Sequence, residues 1–289
     1  MLTIGAEQFV CELSAGATAS AEAEPGATLR VRCRHACDRE VGPGPVRATG
    51  ANPATGPIAV RGARPGQALR LEILDIAPEP VGHVSAGWGG GNRAVPIQNG
   101  EAIFDGIRIP LAPMIGVLGV APAEGSWSTM ACGPFGGNMD TNDIAPGATV
   151  FLPVFRPGGL FVLGDVHAVM GDGEIGGQGL EVAAEVTLRV GIEPQPLLSS
   201  IYLCRNDEVI TVGTGEWLDQ ACTRAERAMM ALIERAGTMD EFDAMKFLGL
   251  AGQLRVGQHC CPTKSARVAV PLRYLPELRS RLSCNQERP

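Results

Sequence analysis

Histidine, aromatic residues and long apolar runs are scarce in this 289-residue sequence, and each shortage excludes a class of protein. No stretch reaches the about 18 apolar residues that a transmembrane helix needs, so a membrane-spanning protein is not expected. The start, MLTIGAEQFV, lacks the basic and apolar segments of a signal peptide, which predicts a cytoplasmic protein. Lys and Arg number 24, against 31 Asp and Glu, and they are dispersed. Neither nucleic acid nor an anionic membrane is therefore an expected partner.

Several catalytic signatures are also missing. The sequence contains no GxGxxG or P-loop motif, and neither Ser126 nor Ser128 has the context of a nucleophile elbow. The nine cysteines are an odd number without CxxC spacing, which predicts reduced thiols, including the adjacent pair Cys260 and Cys261. Only four histidines are present, so a metal site in this protein must depend on carboxylate ligands.

Glycine and proline are abundant, at 38 and 22 residues, and they form a recurring turn-plus-strand unit. Pro followed by Gly suits a type II turn, because Gly tolerates the positive φ that the turn requires. The first two strands alternate apolar and charged residues, which predicts one solvated face, whereas the last two are apolar throughout and should be buried on both faces. The four units are Pro25-Gly26 before 29–33, Pro65-Gly66 before 69–73, Pro146-Gly147 before 150–152, and Pro157-Gly158 before 160–163.

The pattern changes near Glu216, where apolar residues recur at helical spacing until Gly237. Thr238 to Glu241 then has the form of a capping box, which predicts a second helix to about Leu250. A closing strand is expected at Arg267–Val270. We therefore predict a mainly β fold with an α+β portion, in which 1–195 form a β-rich catalytic region. Residues 196–289 form an α/β region packed on it, with a helical hairpin and a closing strand, rather than an independent domain.

The densest polar cluster within apolar sequence runs from Gly164 to Glu174. Two residues apart on an extended strand, Asp165 and His167 should point to the same face, as a pair of ligands for zinc or a similar divalent ion. The turn at 171–174 can return a third carboxylate to the same place. The simpler alternative is a strand-end histidine hydrogen-bonded by Asp165, with Asp172 in a turn. Several acids and a histidine beside a buried strand favour the metal, because they are costly to bury unless paired or metal-bound.

Two further segments are candidates for ligand binding. In Gly136–Asp140, the glycines allow close approach of the backbone to a ligand, and their amides could receive an oxyanion. In 52–57, NPATGP, turn chemistry is the primary interpretation and a substrate-facing loop the second.

Taken together, these segments resemble the acetamidase/formamidase family over nearly the whole chain. The resemblance implies hydrolysis of small amides to a carboxylate and ammonia, a divalent metal that is often zinc, and a homo-oligomer. It also implies a β-rich fold with jelly-roll-like and barrel-like parts and a C-terminal helical hairpin. The matching stretches are NPATGPIAVRGARPGQALRLEILDI (52–76), IPLAPMIGVLGVAP (109–122), GGNMDTNDIAPGATVFLPV (136–154) and LGDVHAVMGDGEIGGQGLEVAAEVTLRV (163–190).

The sequence departs from the family pattern in four places. Phe135 stands where members often have a histidine, and His35, in 35–40, aligns with a position that is often Asp. The loop at 82–92 matches poorly, and 258–262 (QHCCP) stands where an apolar pair and an Asp are usual. These departures from the family pattern bear on which substrate the protein takes and on whether it retains catalytic activity. One hypothesis is that His35 replaces the imidazole that Phe135 has removed; the alternative is two unrelated changes, with Phe135 in the core and His35 exposed.

The mechanism expected from these residues is metal-assisted hydrolysis. Asp140, Asp165 and His167 are the predicted metal ligands, with zinc the expected ion. Glu174 is the predicted general base and later proton donor, and Asp172 is the second candidate for that role. The predicted substrate-binding residues are Asn138, Gly137 and His35.

Two other functions remain open. A metal enzyme of the same construction could open a lactam or a cyclic imide, a reaction that releases no ammonia. A member that has lost catalysis would bind a small molecule without turnover. A homodimer or higher homo-oligomer is expected in each case.

Overall fold

The computed structural model of the chain describes residues 1–37, 52–86 and 90–282, and within these ranges the chain is mainly β. Parts of two segments named above, 38–40 and 87–89, lie outside the described residues. The strands up to residue 110 are β1 (Leu2–Ile4), β2 (Phe9–Val10), β3 (Glu12–Ser14), β4 (Ala21–Ala23), β5 (Thr28–Cys33), β6 (Ala54–Val60), β7 (Ala68–Pro78), β8 (Val81–Ala86), β9 (Gly90–Gln98), β10 (Glu101–Phe104) and β11 (Ile107–Pro110). The later strands are β12 (Met114–Gly119), β13 (Ser126–Ser128), β14 (Cys132–Gly133), β15 (Gly136–Asn138), β16 (Thr149–Pro153), β17 (Phe161–His167), β18 (Ala184–Glu193), β19 (Tyr202–Arg205), β20 (Glu208–Gly215), β21 (Gln253–Gln258) and β22 (Lys264–Pro271). The helices are α1 (Leu218–Arg235), α2 (Glu241–Ala251) and α3 (Pro276–Arg281), with a 3-10 turn at Leu272–Tyr274.

Two large sheets form the body of the protein. The nine-stranded sheet has the order β1-β5-β18-β7-β16-β19-β20-β22-β21, so strands from the C-terminal region continue a sheet that the N-terminal region begins. The seven-stranded sheet has the order β14-β15-β12-β17-β6-β2, with β4 also paired to β6. Strands β11-β10-β9-β8 form a four-stranded sheet, and β13 pairs with β3.

The mainly β prediction with an α+β portion is confirmed, but its barrel-like part is not observed. Within 1–37, 52–86 and 90–282 every sheet is open and none closes into a barrel. Two large twisted sheets that pack face to face already bury their apolar faces, so closure is unnecessary. Among these residues, no helix is both long and apolar enough to cross a membrane.

Strand β16 shows how the layers stack. Its side chains alternate between two apolar cores: Val150 and Leu152 pack with the seven-stranded sheet, and Phe151 packs towards the helices, stacked on Tyr202 at 4.5 Å between ring centroids. This explains why the strand carries no polar face. It is buried on both sides, as the apolar sequence predicts.

The four Pro-Gly turns are confirmed, since each glycine has a positive φ and each is followed by a strand. The four strands are β5, β7, β16 and β17. The alternating residues of β5 and β7 give each strand one face that is more exposed than the other. Strands β16 and β17 are buried throughout. The turn chemistry therefore positions the two innermost strands, one of which carries Asp165 and His167.

The predicted helical hairpin is present, with two corrections at its edges. Helix α1 ends before Gly237, whose φ is 78°, but the N-cap of α2 is Asp240 rather than Thr238. The Asp240 carboxylate accepts a hydrogen bond from the backbone N–H of Asp243. The predicted capping box is therefore replaced by a single N-cap, the side chain of Asp240.

Strands β19, β20 and β21 were not predicted, because the β pattern was taken to end near residue 195. Much of β20 is buried under α1, so its sequence lacks alternation. The approach is close enough that a Cβ on Gly213 would lie 2.1 Å from the Ala221 carbonyl oxygen. The close packing of α1 on β20 therefore requires a glycine at position 213.

Candidate metal centre

Asp165 and His167 meet at the end of strand β17, as the sequence predicts. His167 Nε2 lies 3.6 Å from Asp165 Oδ1, and both side chains are buried. The reason differs from the prediction, however. Asp165 has φ 53°, in the left-handed region rather than the extended one. This conformation is costly for a residue other than glycine, and such strain is characteristic of functional sites.

Asp140 follows the short strand β15 and is also left-handed, with φ 44°. The backbone N–H groups of Met139 and Asp140 both donate to the carbonyl of Gly116 in β12, at 3.0 and 3.2 Å. A Cβ at Gly116 would lie 2.5 Å from Asp140 Oδ1 and 2.7 Å from Asp165 Oδ2. Glycine at this position therefore leaves the space in which the two carboxylates converge.

Glu181 is the fourth member of this group, and the sequence analysis assigned it no role. Its Oε2 lies 3.2 Å from His167 Nε2, and it is 4% exposed. The backbone of Glu181 exchanges two hydrogen bonds with that of His83, which fixes it opposite β17. The sequence feature that could have indicated a role for Glu181 is its position as an acid between the apolar residues Leu180 and Val182. We call Asp140, Asp165, His167 and Glu181 the carboxylate–histidine cluster.

Polar atoms in this cluster lack hydrogen-bond partners among the residues that the structure describes. They are both carboxylate oxygens of Asp140, which is fully buried, together with His167 Nε2 and Glu181 Oε2, whose 3.2 Å contact is an ion pair without the angles of a hydrogen bond. Buried polar atoms are nearly always hydrogen-bonded, because an unpaired one costs about 1–3 kcal/mol. His167 Nδ1 is 3.3 Å from Met170 Sδ, which leaves Nε2 facing the carboxylates. The donor set of carboxylate oxygens and imidazole nitrogen suits a divalent cation such as zinc.

The electrostatics of the cluster show an excess of negative charge. Burial, followed by the charge of Asp165, raises the pKa of Asp140 well above its usual range. Burial also raises the pKa of Glu181 to about 7, against the opposing effect of His167. For His167, burial acts to lower the pKa, but Glu181 and Asp165 outweigh it and raise the pKa. Each shift is a response to carboxylates that lack a full positive charge, which is what a bound cation would supply.

Glu174 lies beside this cluster and is held there by the backbone. The N–H of Gly173 donates to the carbonyl of Gly257 at 3.0 Å, which ties the 171–174 turn to the end of β21. Glu174 has φ 48° and is 5% exposed. Ligand atoms of Glu174, His167 and Glu181 lie within 4.8 Å of one another. Burial, and then the Asp140 charge, raise the pKa of Glu174 well above its ordinary value.

Asp172, only two residues earlier, faces a different set of groups. Its Oδ1 accepts from Arg267 Nη2 at 2.6 Å and from Asn142 Nδ2 at 2.8 Å. Burial acts to raise the pKa of Asp172, but the hydrogen bond and charge of Arg267 outweigh it and lower the pKa. Arg267 also pairs with Asp143. We call Asp143, Asp172 and Arg267 the arginine network; the structure places Asp172 there and not among the clustered metal-ligand atoms.

Asn138 and Asn52 line the cluster from one side. Asn52 Nδ2 donates to Asp165 Oδ2 at 2.8 Å and to Asn138 Oδ1 at 3.1 Å. Asn138 Nδ2 in turn lies 3.4 Å from Cys261 Sγ. Turn chemistry was the primary interpretation for 52–57, and it is wrong from Ala54 onward, because β6 begins there and pairs with β17. That pairing brings Asn52 to the site.

The glycines of the Gly-Gly-Asn segment serve close backbone packing. Strand β15 lies between β12 and β14, and a Cβ on Gly137 would lie 2.2 Å from the Ala131 carbonyl oxygen. Gly136 and Gly137 both have positive φ. The predicted contribution of their amides to an oxyanion site stays a prediction.

His35 lies on the same side of the molecule as the cluster, next to His83. The two rings are 5.0 Å apart between centroids, edge to face. Burial, and then His83, lower the pKa of His35 to about 4, and the charges of Asp165 and His167 also act on it. Phe135 packs in the core against Trp127, with 5.4 Å between ring centroids. Both locations are thus defined, while the exchange of roles between them stays a prediction.

An apolar cavity of about 290 Å³ lies beside the cluster. Two of its lining residues lie against His167: Met170 through its sulfur, and Gly179, where a Cβ would lie 2.6 Å from His167 Nδ1. Most of the remaining lining is aliphatic or aromatic, including Val84, Phe104 and Ile109. The site therefore combines a polar centre with an adjoining apolar space.

Comparisons of the sequence and the fold with known proteins indicate the same family. The model of the Acetamidase/Formamidase family matches residues 123–203. The crystal structure of an acetamidase from Bacillus halodurans is 33% identical, with a TM-score of 0.92, covering 96% of this chain and 99% of that one. A predicted acetamidase/formamidase from Thermoanaerobacter tengcongensis is 31% identical, with a TM-score of 0.92, covering 97% and 99%. A putative formamidase from Schizosaccharomyces pombe is 27% identical over 52% of this chain and 55% of that protein. The chain spans a little over half the length of the curated relatives it matches.

Proposed function

Since this chain belongs to the acetamidase/formamidase family, we propose that it hydrolyses the carbon–nitrogen bond of small linear amides with the help of a divalent metal. Water and the amide are converted into a carboxylate and ammonia. The polar centre beside an apolar cavity supports a small amide whose acyl group is apolar.

One observation carries the metal dependence. Asp140 is fully buried, and neither of its carboxylate oxygens has a hydrogen-bond partner among the described residues. An ionised carboxylate in such surroundings requires a cation. Asp140, Asp165 and His167 would hold the ion, with Glu181, whose Oε2 faces the same imidazole nitrogen, as a further ligand. When bound, such an ion lowers the pKa of water from about 15.7 to about 7 and so allows a nucleophile to form at neutral pH.

Glu174 is the group that we assign to proton transfer. It is close to His167 and Glu181, is almost fully buried, and its pKa is raised by burial and by Asp140. This raised pKa keeps Glu174 protonated in the metal-free protein, and a cation held by the neighbouring cluster would lower it. A carboxyl group with a pKa near neutrality can take a proton from the attacking water and return it to the leaving nitrogen. Asp172 is less suited, since its salt bridge with Arg267 holds it ionised and directed elsewhere.

The amide group of the substrate would be oriented by the asparagine pair. Asn138 and Asn52 each present an amide next to Asp165. Their donors and acceptors match those of a carboxamide, and the nearby Gly137 contributes backbone to the same wall. The neutral imidazole of His35 is a further candidate for substrate contact. The apolar acyl group would extend towards the cavity that Met170 and Gly179 border.

The proposal is tested by metal analysis combined with an assay of ammonia release from formamide and acetamide. Purified protein should contain one divalent ion per carboxylate–histidine cluster, zinc being the expected ion. His167→Ala should lose the ion and the activity and keep the fold, as judged by circular dichroism. His259→Ala is the matched control, because His259 is exposed. Full metal occupancy in His167→Ala would remove His167 from the site.

The same assay separates the other functions. Consumption of a small lactam without ammonia release would indicate ring opening at the same centre. Bound metal with turnover of neither substrate class would indicate a binding protein. The homo-oligomeric state and the cytoplasmic location stay predictions.

A further inference from the structure

Cys260 and Cys261 were interpreted from the sequence as two ordinary reduced thiols. The structure brings both next to Glu174. Cys260 Sγ lies 3.0 Å from Glu174 Oε2, and the two sulfur atoms are 3.8 Å apart. Ligand atoms of the three residues all lie within 4.8 Å of one another. Glu174 therefore adjoins both the carboxylate–histidine cluster and this second group, which has a different, sulfur-rich chemistry.

We propose that Cys260, Cys261 and Glu174 form a second divalent-metal site, selective for thiophilic ions such as Zn²⁺ and Cd²⁺. Thiolates are soft ligands, and two of them with one carboxylate leave a fourth tetrahedral position for water. Binding converts both thiols to thiolates, and the displaced protons go to solvent.

The sulfur positions already have the required spacing. Two thiolates at about 2.3 Å from zinc, with a tetrahedral angle between them, are about 3.8 Å apart, which is the separation observed. A thiolate and a carboxylate oxygen on the same ion would be about 3.5 Å apart. The contact of Cys260 with Glu174 is 3.0 Å and needs to open by about half an ångström, which side-chain rotation can supply.

The backbone and its neighbours hold the three residues in place. His259 N–H donates to the Gly173 carbonyl at 3.3 Å, so the cysteine segment and the Glu174 turn are joined directly. The N–H of Cys261 donates to the buried Gln258 Oε1 at 3.1 Å. Lys264 donates to the Cys261 carbonyl, and its charge partly offsets the excess of anionic ligands. These contacts would support the ligands from behind.

An ion can reach this site from solvent. Cys260 is exposed, Cys261 is partly exposed and Glu174 is buried, so the thiols form the outer side of the site and the carboxylate the inner side. Occupancy would therefore withdraw Glu174 from proton transfer. This consequence rests on the proposed amidase function, whereas metal binding at the thiols does not.

Cadmium is the probe, because cadmium–thiolate bonds produce an ultraviolet charge-transfer band. Metal-free protein kept under a phosphine reductant is titrated with Cd²⁺, and bound metal is counted by elemental analysis. The expected result is two Cd²⁺ per chain at saturation, with a band of the intensity of two cadmium–sulfur bonds. The double variant Cys260→Ser/Cys261→Ser should bind one Cd²⁺ and show no band. His167→Ala should keep the band and lose the other ion.

Cys222→Ser is the matched control, since Cys222 is a partly buried free thiol on α1, and it should keep the band. The absence of a band in the wild-type protein, or its persistence in the double variant, would overturn the proposal. Amide turnover is recorded separately, with and without excess Cd²⁺. A wild-type protein that shows the band but no turnover would refute the amidase function alone, and turnover without the band would refute the second site alone.

Discussion

The carboxylate–histidine cluster and the arginine network draw acids from the same two segments of chain, and in the network the side chain of Asp172 is 46% exposed. Asp140 and Glu174 face the carboxylate–histidine cluster. Asp143, three residues after Asp140, and Asp172, two residues before Glu174, face the arginine network. In the arginine network each acid is matched: Arg267, 2% exposed, pairs with both Asp143 and Asp172. In the other group no lysine or arginine is paired with an acid, and Asp140 has no hydrogen-bond partner among the described residues.

The comparison distinguishes acids that an arginine neutralises from acids that no positive side chain compensates. Desolvation of a carboxylate costs several kcal/mol whichever group it belongs to. The arginine network recovers this cost within the chain through Arg267, which holds the pKa of Asp172 below its usual range. The carboxylate–histidine cluster leaves the cost unrecovered in the metal-free protein, and the pKa values of Asp140 and Glu181 rise as a result. Three of the acids with a positive φ, Asp140, Asp165 and Glu174, belong to the carboxylate–histidine cluster or adjoin it.

The largest expected difference is between Glu174→Gln and Asp172→Asn. Glu174→Gln should retain the ion of the carboxylate–histidine cluster and lose about 10²–10⁴-fold in turnover, because a group that transfers protons is replaced by one that cannot. Asp172→Asn should lose less than about tenfold, because its partners are Arg267 and Asn142. Turnover is measured as ammonia release at saturating amide, with bound metal counted in parallel. The reverse ranking would transfer the proton-transfer role to Asp172.

Asp143→Asn should destabilise the protein by about 3 kcal/mol, because it leaves the buried Arg267 without its more buried partner. This loss of stability is at the low end of the range for breaking a buried ion pair, because Asp172 and the Val256 carbonyl still bind Arg267. Urea unfolding gives the free energy. Bound metal should be unchanged in this variant, and its loss would show that the two groups are not separate.

Asp140→Asn should have the opposite effect on the metal-free protein, a gain of roughly 2 kcal/mol at pH 7. The carboxyl group of Asp140 must keep a proton in the folded state that it loses in the unfolded state, and a neutral amide removes this cost. Asn also tolerates the left-handed backbone at this position. The same variant should lose the metal. Lower stability than the metal-free wild type, measured by the same urea titration, would refute the assignment of Asp140 as an uncompensated acid.

The most gradual effect is the pH dependence of the metal-free protein. Glu181 has a pKa of about 7 in the folded state, above its ordinary value near 4.5, so the folded state holds the extra proton between these values. Its contribution to stability is therefore full below pH 4.5 and declines as the pH rises to 7, by at most about 1.4 kcal/mol per unit. Asp172 has the opposite sign: its pKa is lowered, and its contribution is lost as the pH falls through that value. Urea titrations across pH 4.5–7 should show a flatter curve for Glu181→Gln, and an unchanged slope would contradict the shift.

Local patterns in the sequence predicted much of the fold because they report local physics. The Pro-Gly turns, the two doubly buried strands and helix α1 each follow from a few neighbouring residues, and each is confirmed. The family resemblance, based on the Gly136–Asp140 and Leu163–Glu174 segments, is also confirmed. Strands β19 and β20 were missed, because burial on both faces removes the alternation that identifies a strand, whereas β21 is a partly exposed strand at the sheet edge.

Which acid belongs to which environment was decided only by the tertiary structure. Asp140 and Asp143, or Asp172 and Glu174, are equivalent in a sequence pattern, since composition and spacing do not reveal where an arginine 95 or 124 residues away will lie. Glu181 and Asn52 reach the site through strand pairing, and the left-handed backbone at Asp165 replaces the regular strand that the spacing assumed. The sequence by itself determined that carboxylates and one histidine would surround a buried strand. Long-range packing determined which of them are left without a positive charge, because desolvation and pairing depend on neighbours in space.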